Sequence, residues 1–197
     1  PGNLVIEDWA REHFKQKSVT ISHDINIRSA LGFEASAERE RVERVNSISH
    51  IIKASDEDIE WLYSLEHGDN YQNRIDEIVR EWIGDSGRHV FVTRGGDGVS
   101  IYRAGGVRID VPSRKINVVD TIGAGDTFCA NLLGQLQENN HLGENPTDKL
   151  MNIKDEDLHT YVHIAGIAAS INCERAGAEP PTMAEIKEVS DIRSKER

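Results

Sequence analysis

The chain has 197 residues, with 23 Lys plus Arg against 34 Asp plus Glu, a net charge of −11 with His neutral. That length can bury a sizeable core in a single domain, and a composition of 38% hydrophobic and 29% charged residues excludes collagen-like and low-complexity classes. So acidic a chain repels nucleic acid and anionic lipid, which leaves a small molecule as the expected partner.

In chain order, residues 4–16 place Leu4, Val5, Trp9, Ala10 and Phe14 at helical spacing among charged residues. Residues 18–25 alternate and are β-branched, as a strand requires. A charged helical face spans 39–45, and its mixed signs mark it as solvated. A short apolar strand at 50–53 leads to Ser55, an N-cap followed by acidic residues, and then a helix through 61–65. Ile75, Ile78, Val79 and Trp82 line one face of a helix over 71–83. A strand at 88–93 ends in Arg94-Gly-Gly-Asp-Gly98, and strands at 99–103 and 107–111 flank a Gly105-Gly106 hairpin turn. From 118 to 126 a strand runs through small residues into a helix over 127–137. Residues 138–157 read as one long surface loop, and helices follow over 155–172 and 183–189. Strands alternating with helices in this way predict an α/β fold with a mainly parallel sheet covered on both faces, without internal repeats or a linker.

Cys129 and Cys173 are too few for a disulfide framework. No basic and apolar leader opens the chain, and its longest apolar run is far shorter than a membrane span, so a reducing, cytoplasmic setting is expected. Asn145-Pro-Thr147 is blocked as a glycosylation acceptor by its proline. The chain opens on Pro1 rather than Met, and its native start is expected to lie upstream.

The strongest local signal is Asp120-Thr-Ile-Gly-Ala-Gly-Asp-Thr-Phe128. Gly123, Ala124 and Gly125 stand at the mouth of a helix, where unpaired N–H groups and the positive end of the dipole bind anions such as phosphate. Asp126, in the first helical turn, is placed to take a proton from a hydroxyl attacking phosphorus. A helix start with small residues for close packing fits the same pattern, and the motif alone leaves both readings open. GxxxxGK[ST] is absent and 95–98 lacks the spacing of GxGxxG, which disfavours Walker-type nucleotidases and dinucleotide dehydrogenases. His159 and His163 share a helix face at i and i+4, but with no adjacent Glu and no third ligand they read as surface or packing residues. Both cysteines read as inert thiols.

The 119–128 segment resembles the C-terminal signature of the PfkB, or ribokinase-like, carbohydrate kinases. Asp24-Ile-Asn-Ile-Arg28 is similar to the D-x-N-x-R element of the fructokinase and ketodeoxygluconate kinase branch, and Lys53-Ala-Ser-Asp-Glu-Asp58 to its K-x-S/N-x-x-E segment. Thr93-Arg-Gly-Gly-Asp-Gly98 resembles the T-x-G-x-x-G loop, and Arg175-Ala-Gly-Ala178 the R-x-G-A turn. Five elements in family order cover the chain from Asp24 to Ala178.

The resemblance implies a three-layer α/β/α ribokinase-like fold and phosphorylation of a small sugar hydroxyl by ATP, with fructose first and 2-keto-3-deoxygluconate or another sugar as the alternative. It implies Asp126 as general base and the amides of Gly123, Ala124 and Gly125 as the anion hole. Thr93, Gly95 and Gly98 would contact the nucleotide, with Asn172 near the adenine. The acidic residue helping to hold hydrated Mg²⁺ aligns with Asp58, one methylene shorter than the family's Glu, and Glu57 stands beside it. A K⁺ ion would be bound by Asp120, the Ile122 carbonyl and carbonyls near Arg175 and Gly177. Arg28 would contact phosphate or substrate, with a structural ion pair to Asp24 or another carboxylate as the competing role. The chain matches roughly the C-terminal two-thirds of such a kinase, without the first strands, most sugar contacts and the β lid. Alone it is expected to turn over feebly. A homodimer is left open, and a catalytically weak binding or regulatory protein is the reading from another class.

Overall fold

The computed structural model describes residues 2–195, and Pro1 lies outside them. Its elements run α1 (Gly2–Gln16), β1 (Ser22–Asp24), α2 (Ala35–Asn46), β2 (Ile51–Ser55), α3 (Asp56–Tyr63), α4 (Tyr71–Ile83), β3 (His89–Thr93), β4 (Val99–Arg103), β5 (Val107–Val111), α5 (Ala124–Glu138), α6 (Pro146–Met151), α7 (Asp155–Cys173) and α8 (Met183–Lys195). The chain folds as two compact units. The first takes in the chain to Arg94 with Ser100–Ile109 and Asn140–Ile153; the second takes in Gly95–Val99, Asp110–Asn139 and the chain from Lys154.

The first unit is built on the sheet, whose order is β1-β2-β3-β4-β5. β1, β2 and β3 are parallel, in the register Asp24↔Lys53 and Ser55↔Thr93, so their carboxyl ends lie side by side. β4 and β5 are joined by three residues and can only run antiparallel, which makes the sheet mixed. Four successive residues are buried in each of β2 and β3, the mark of strands covered on both faces rather than on one. Ile52, Ala54, Val90 and Val92 form a core with Val42 of α2, Ile59 and Leu62 of α3, and Ile75, Ile78 and Val79 of α4. Each such side chain removed from water contributes about 1.5–3 kcal/mol. α3 begins with a reciprocal cap: Asp58 N donates to Ser55 Oγ at 3.0 Å and Ser55 N to Asp58 Oδ2 at 2.8 Å.

In the second unit α5 packs along α7. Phe128, Leu132 and Leu136 recur every four residues on the buried side of α5. Ile167, Ala168 and Ile171 of α7 form a small core with Ile186 of α8.

Three expectations are corrected. The strand at 18–25 shrinks to Ser22–Asp24, because Ile21 N donates to the His50 imidazole at 3.1 Å and residues 17–18 turn back to bond the last carbonyls of α1. The strand at 118–119 is absent: Val119 N and Asp120 N both donate to the Cys173 carbonyl, at 2.8 and 3.2 Å, and so join the end of α7 instead of a sheet. The loop at 138–157 contains α6, whose first residue is Pro146, the position where proline's missing N–H costs nothing.

His50 gives the fold an acid limit. It is 4% exposed, accepts the Ile21 N–H on Nδ1 and packs against Phe14, and burial, with the charge of Arg88, lowers its pKa from 6.5 to about 4. Its neutral form is the one the fold accommodates, so its stabilisation is complete above pH 6.5 and is lost as pH falls towards 4. A shift of this size corresponds to roughly 3 kcal/mol. The unfolding midpoint in urea should therefore fall steadily between pH 6.5 and 4 in the wild type and much less in His50→Phe; parallel curves would contradict this.

Candidate active site

The chemistry-bearing residues of the second unit gather where the 120–123 turn enters α5. Asp120 accepts from Ile122 N at 3.0 Å on one oxygen and from Gly177 N at 2.9 Å on the other. These two backbone bonds hold its carboxyl below the usual carboxylate range. The bond to Gly177 fastens the 120–123 turn to the Arg175-Ala-Gly-Ala178 turn. Gly123, the residue before the first turn of α5, has φ +77°, and a Cβ there would lie 2.9 Å from Ala178 Cβ. Both the left-handed backbone and the close approach require glycine.

The opening amides of α5 have no intrahelical acceptor. Ala124 N donates to the Thr121 carbonyl at 3.2 Å, so of the three expected amides those of Gly123 and Gly125 are the ones an anion would meet free at the positive end of this 15-residue helix. Asp126 lies in the same turn and is exposed. Among the described residues its carboxylate makes no hydrogen bond or ion pair, which leaves it accessible to a hydroxyl.

Asn172, expected near an adenine, is 0% exposed. Its Nδ2 donates to the Ile122 carbonyl at 2.8 Å, so its place is beneath the 120–123 turn. The Arg175 side chain bonds to Glu185 and to the Glu179 carbonyl. Glu185 also accepts from Thr182 N and Thr182 Oγ1, at 2.7 and 2.8 Å, and these bonds with Arg175 lower its pKa to about 2. Thr182-x-x-Glu185 is a helix-start signal legible in the sequence, and it secures the turn bearing Gly177.

Gly95 and Gly98 belong to this unit and differ from each other. Gly95 is exposed, with open space where a Cβ would stand. Gly98 is buried, and a Cβ there would lie 2.1 Å from the Val111 carbonyl oxygen. A backbone crossing accounts for glycine at 98.

In the first unit, the carboxyl ends of β1, β2 and β3 carry Asp24, Ser55 and Thr93, the side of a parallel sheet where ligands bind. Thr93 Oγ1 donates to the Ala54 carbonyl at 3.3 Å. Lys53, 5% exposed, donates to Asp24 at 3.1 Å. The structural ion pair expected for Arg28 with Asp24 is therefore corrected: Lys53 answers Asp24, and among the described residues the exposed Arg28 reaches only the carbonyl of Ile27, at 3.3 Å. Asp58 is 7% exposed, and its oxygens accept from Ile27 N and Ser55 N, each at 2.8 Å. Its carboxylate ties the Asp24–Arg28 loop to the start of α3, and Glu57 beside it is exposed.

Among the described residues, no group of three or more His, Cys, Asp or Glu is arranged to hold a metal ion, and no helix is long and apolar enough to cross a membrane.

A family model described as pfkB family carbohydrate kinase matches residues 9–185. A fructokinase of Rhizobium leguminosarum bv. trifolii is 37% identical over 125 residues, 64% of this chain and 36% of its own length. Fructokinase-1 of Oryza sativa subsp. japonica is 26% identical over 179 residues, 90% of this chain and 50% of its own. An aminoimidazole riboside kinase of Salmonella enterica, solved with aminoimidazole riboside and an ATP analogue, aligns with a TM-score of 0.72 at 20% identity, over 93% of this chain and 56% of that one. The chain spans about half the length of these relatives, or less.

Proposed function

Since the chain belongs to the pfkB family of carbohydrate kinases, we propose that it transfers the γ-phosphoryl group of ATP to a hydroxyl of a small sugar, with fructose the leading candidate. The similarity to fructokinases supports that choice of sugar. The observation that carries the reading is the juxtaposition, within one helical turn, of the Gly123–Gly125 amides and the exposed Asp126 carboxylate.

The roles follow from the chemistry of phosphoryl transfer, which asks for positioning and charge stabilisation more than covalent participation. Asp126 takes the proton of the attacking sugar hydroxyl while its oxygen bonds to the γ-phosphorus and the bond to the ADP oxygen breaks. The amides of Gly123 and Gly125 stabilise the charge that builds on the transferring group, while that of Ala124 is engaged by the Thr121 carbonyl. Thr93 and Gly95 are proposed at the nucleotide, and Arg28, exposed and among the described residues without a carboxylate partner, at a phosphate or the substrate.

The residues present bear differently on the two ions the family implies. Asp58 does not fit as a direct ligand for Mg²⁺, because it is buried and both its oxygens accept backbone N–H groups. The exposed Glu57 is the carboxylate left to hold the hydrated ion, whose charge would offset that of the phosphates. Asp120 differs from Asp58 in being only half-buried, so the second lone pairs of its oxygens and of the Ile122 carbonyl, each of which already accepts one N–H, are the donors a monovalent cation would draw on; its charge would add to the positive potential at the anion hole.

A panel of sugars with Mg-ATP, run in K⁺ and in Na⁺ buffers, tests the reading. Phosphorylation of fructose above other sugars, and faster in K⁺, is expected of the protein that carries this chain, with feeble turnover by the 197-residue chain alone. No turnover with any sugar would overturn the assignment, and equal rates in the two buffers would remove the cation.

A further inference from the structure

The peptide of Ile122 is pinned from both ends by polar side chains. Its N–H donates to Asp120 at 3.0 Å, and its carbonyl accepts from Asn172 Nδ2 at 2.8 Å. Its own side chain is 63% exposed and gives the turn no packing anchor. The next residue, Gly123, opens α5.

Asn172 is an expensive residue to keep in that position. It is wholly buried, and among the described residues its Oδ1 has no hydrogen-bond partner. The opposite amide orientation would set two acceptor oxygens against each other at 2.8 Å, so the donor must face Ile122. An unmet buried acceptor is destabilising, and an apolar side chain of similar shape would carry no such penalty. The one bond to Ile122 gains less than an unmet buried acceptor costs, so net stability gives little reason for asparagine here. Unsatisfied buried groups of this kind collect at functional sites, where the geometry they impose matters more than the stability they forgo.

We propose that Asn172 is a positioning residue, which holds the Ile122 carbonyl and so sets the Gly123–Gly125 amides in the orientation that phosphoryl transfer needs. It touches neither substrate nor nucleotide. This inference rests on the kinase reading of the Gly123–Asp126 turn, and one arm of its test is independent of that reading.

The variants are Asn172→Leu and Asn172→Asp in the full chain. In Asn172→Leu, amide exchange at Ala124 and Thr127, whose N–H groups bond the carbonyls of Thr121 and Gly123, should accelerate about tenfold, while the melting temperature holds or rises. Unchanged exchange, or exchange that speeds only in step with a lowered melting temperature, would overturn the proposal. In Asn172→Asp the protonated carboxyl regains a donor, so exchange at the same amides, relative to wild type, should slow again as pH falls; no pH dependence would count against it. In the sugar-kinase assay Asn172→Leu should lose about 10- to 100-fold in kcat with KM for ATP within about twofold, and an equal effect on both would also count against it. If the exchange results hold but the wild type phosphorylates nothing, the kinase reading falls and the positioning of the turn stands.

Discussion

Asp126→Asn is expected to lower kcat by about 10²- to 10⁴-fold and to leave KM for ATP and sugar nearly unchanged. Asparagine keeps the shape of the side chain and loses only its ability to take a proton. The effect on folding should be small, since Asp126 is exposed and, among the described residues, makes no hydrogen bond or ion pair. The one stabilising effect lost is that of a carboxylate in the first turn of α5, about 0.3–1 kcal/mol. Steady-state rates with Mg-ATP and the preferred sugar, together with a melting curve, check both halves. A variant retaining a third of wild-type kcat would rule out Asp126 as the base.

The largest loss of stability is expected at Gly98. An alanine Cβ there would stand 2.1 Å from the Val111 carbonyl oxygen, 2.7 Å from Ser113 N and 2.9 Å from the Pro112 carbonyl carbon, on a backbone with φ +96°. None of these atoms is the flexible end of a side chain, so the chain itself must move. Steric overpacking of about 1–3 kcal/mol and a disfavoured backbone region of about 1–3 kcal/mol together give a cost of roughly 2–6 kcal/mol. Gly95→Ala is the matched control: its φ is +49° but nothing lies within 4 Å of the added carbon, and about 1 kcal/mol should suffice. Urea unfolding of the two variants should separate them by several kcal/mol; equal midpoints would mean that the 111–113 backbone yields easily.

This contrast shows what a sequence motif records. Thr93-x-Gly95-x-x-Gly98 reads as a single ligand loop, yet Gly98 answers to a backbone crossing at Val111 that no spacing within the motif reveals. Likewise Asp58 looks like a metal ligand in its motif and is occupied by Ile27 N and Ser55 N, the first of which lies 31 residues earlier in the chain. The elements legible in advance were those with strong local signals. The apolar stripe of α4, the Ser55 cap of α3 and the Gly105-Gly106 turn all carry their cause in adjacent residues. Elements decided by distant partners were misread, as with β1, where the His50 imidazole takes a backbone donor, and Val118–Val119, both exposed, where Val119 N and the following Asp120 N bond to the end of α7. For the same reason the resemblance puts Asn172 near an adenine, while its bond to Ile122, across 50 residues of chain, is not legible in the sequence.

The order of the sheet has a consequence for how the first unit is made. Each strand has its neighbour in the next strand along the chain, from β1 to β5, so no pairing has to wait for a distant segment. Each parallel pairing closes a loop of only a few tens of residues that already contains a helix able to cover it, and the entropic cost of closure rises slowly with length. As these five strands leave the ribosome they can therefore pair in turn, with Asp24 meeting Lys53 and then Ser55 meeting Thr93. The row of strand ends would be assembled in the order in which it is translated.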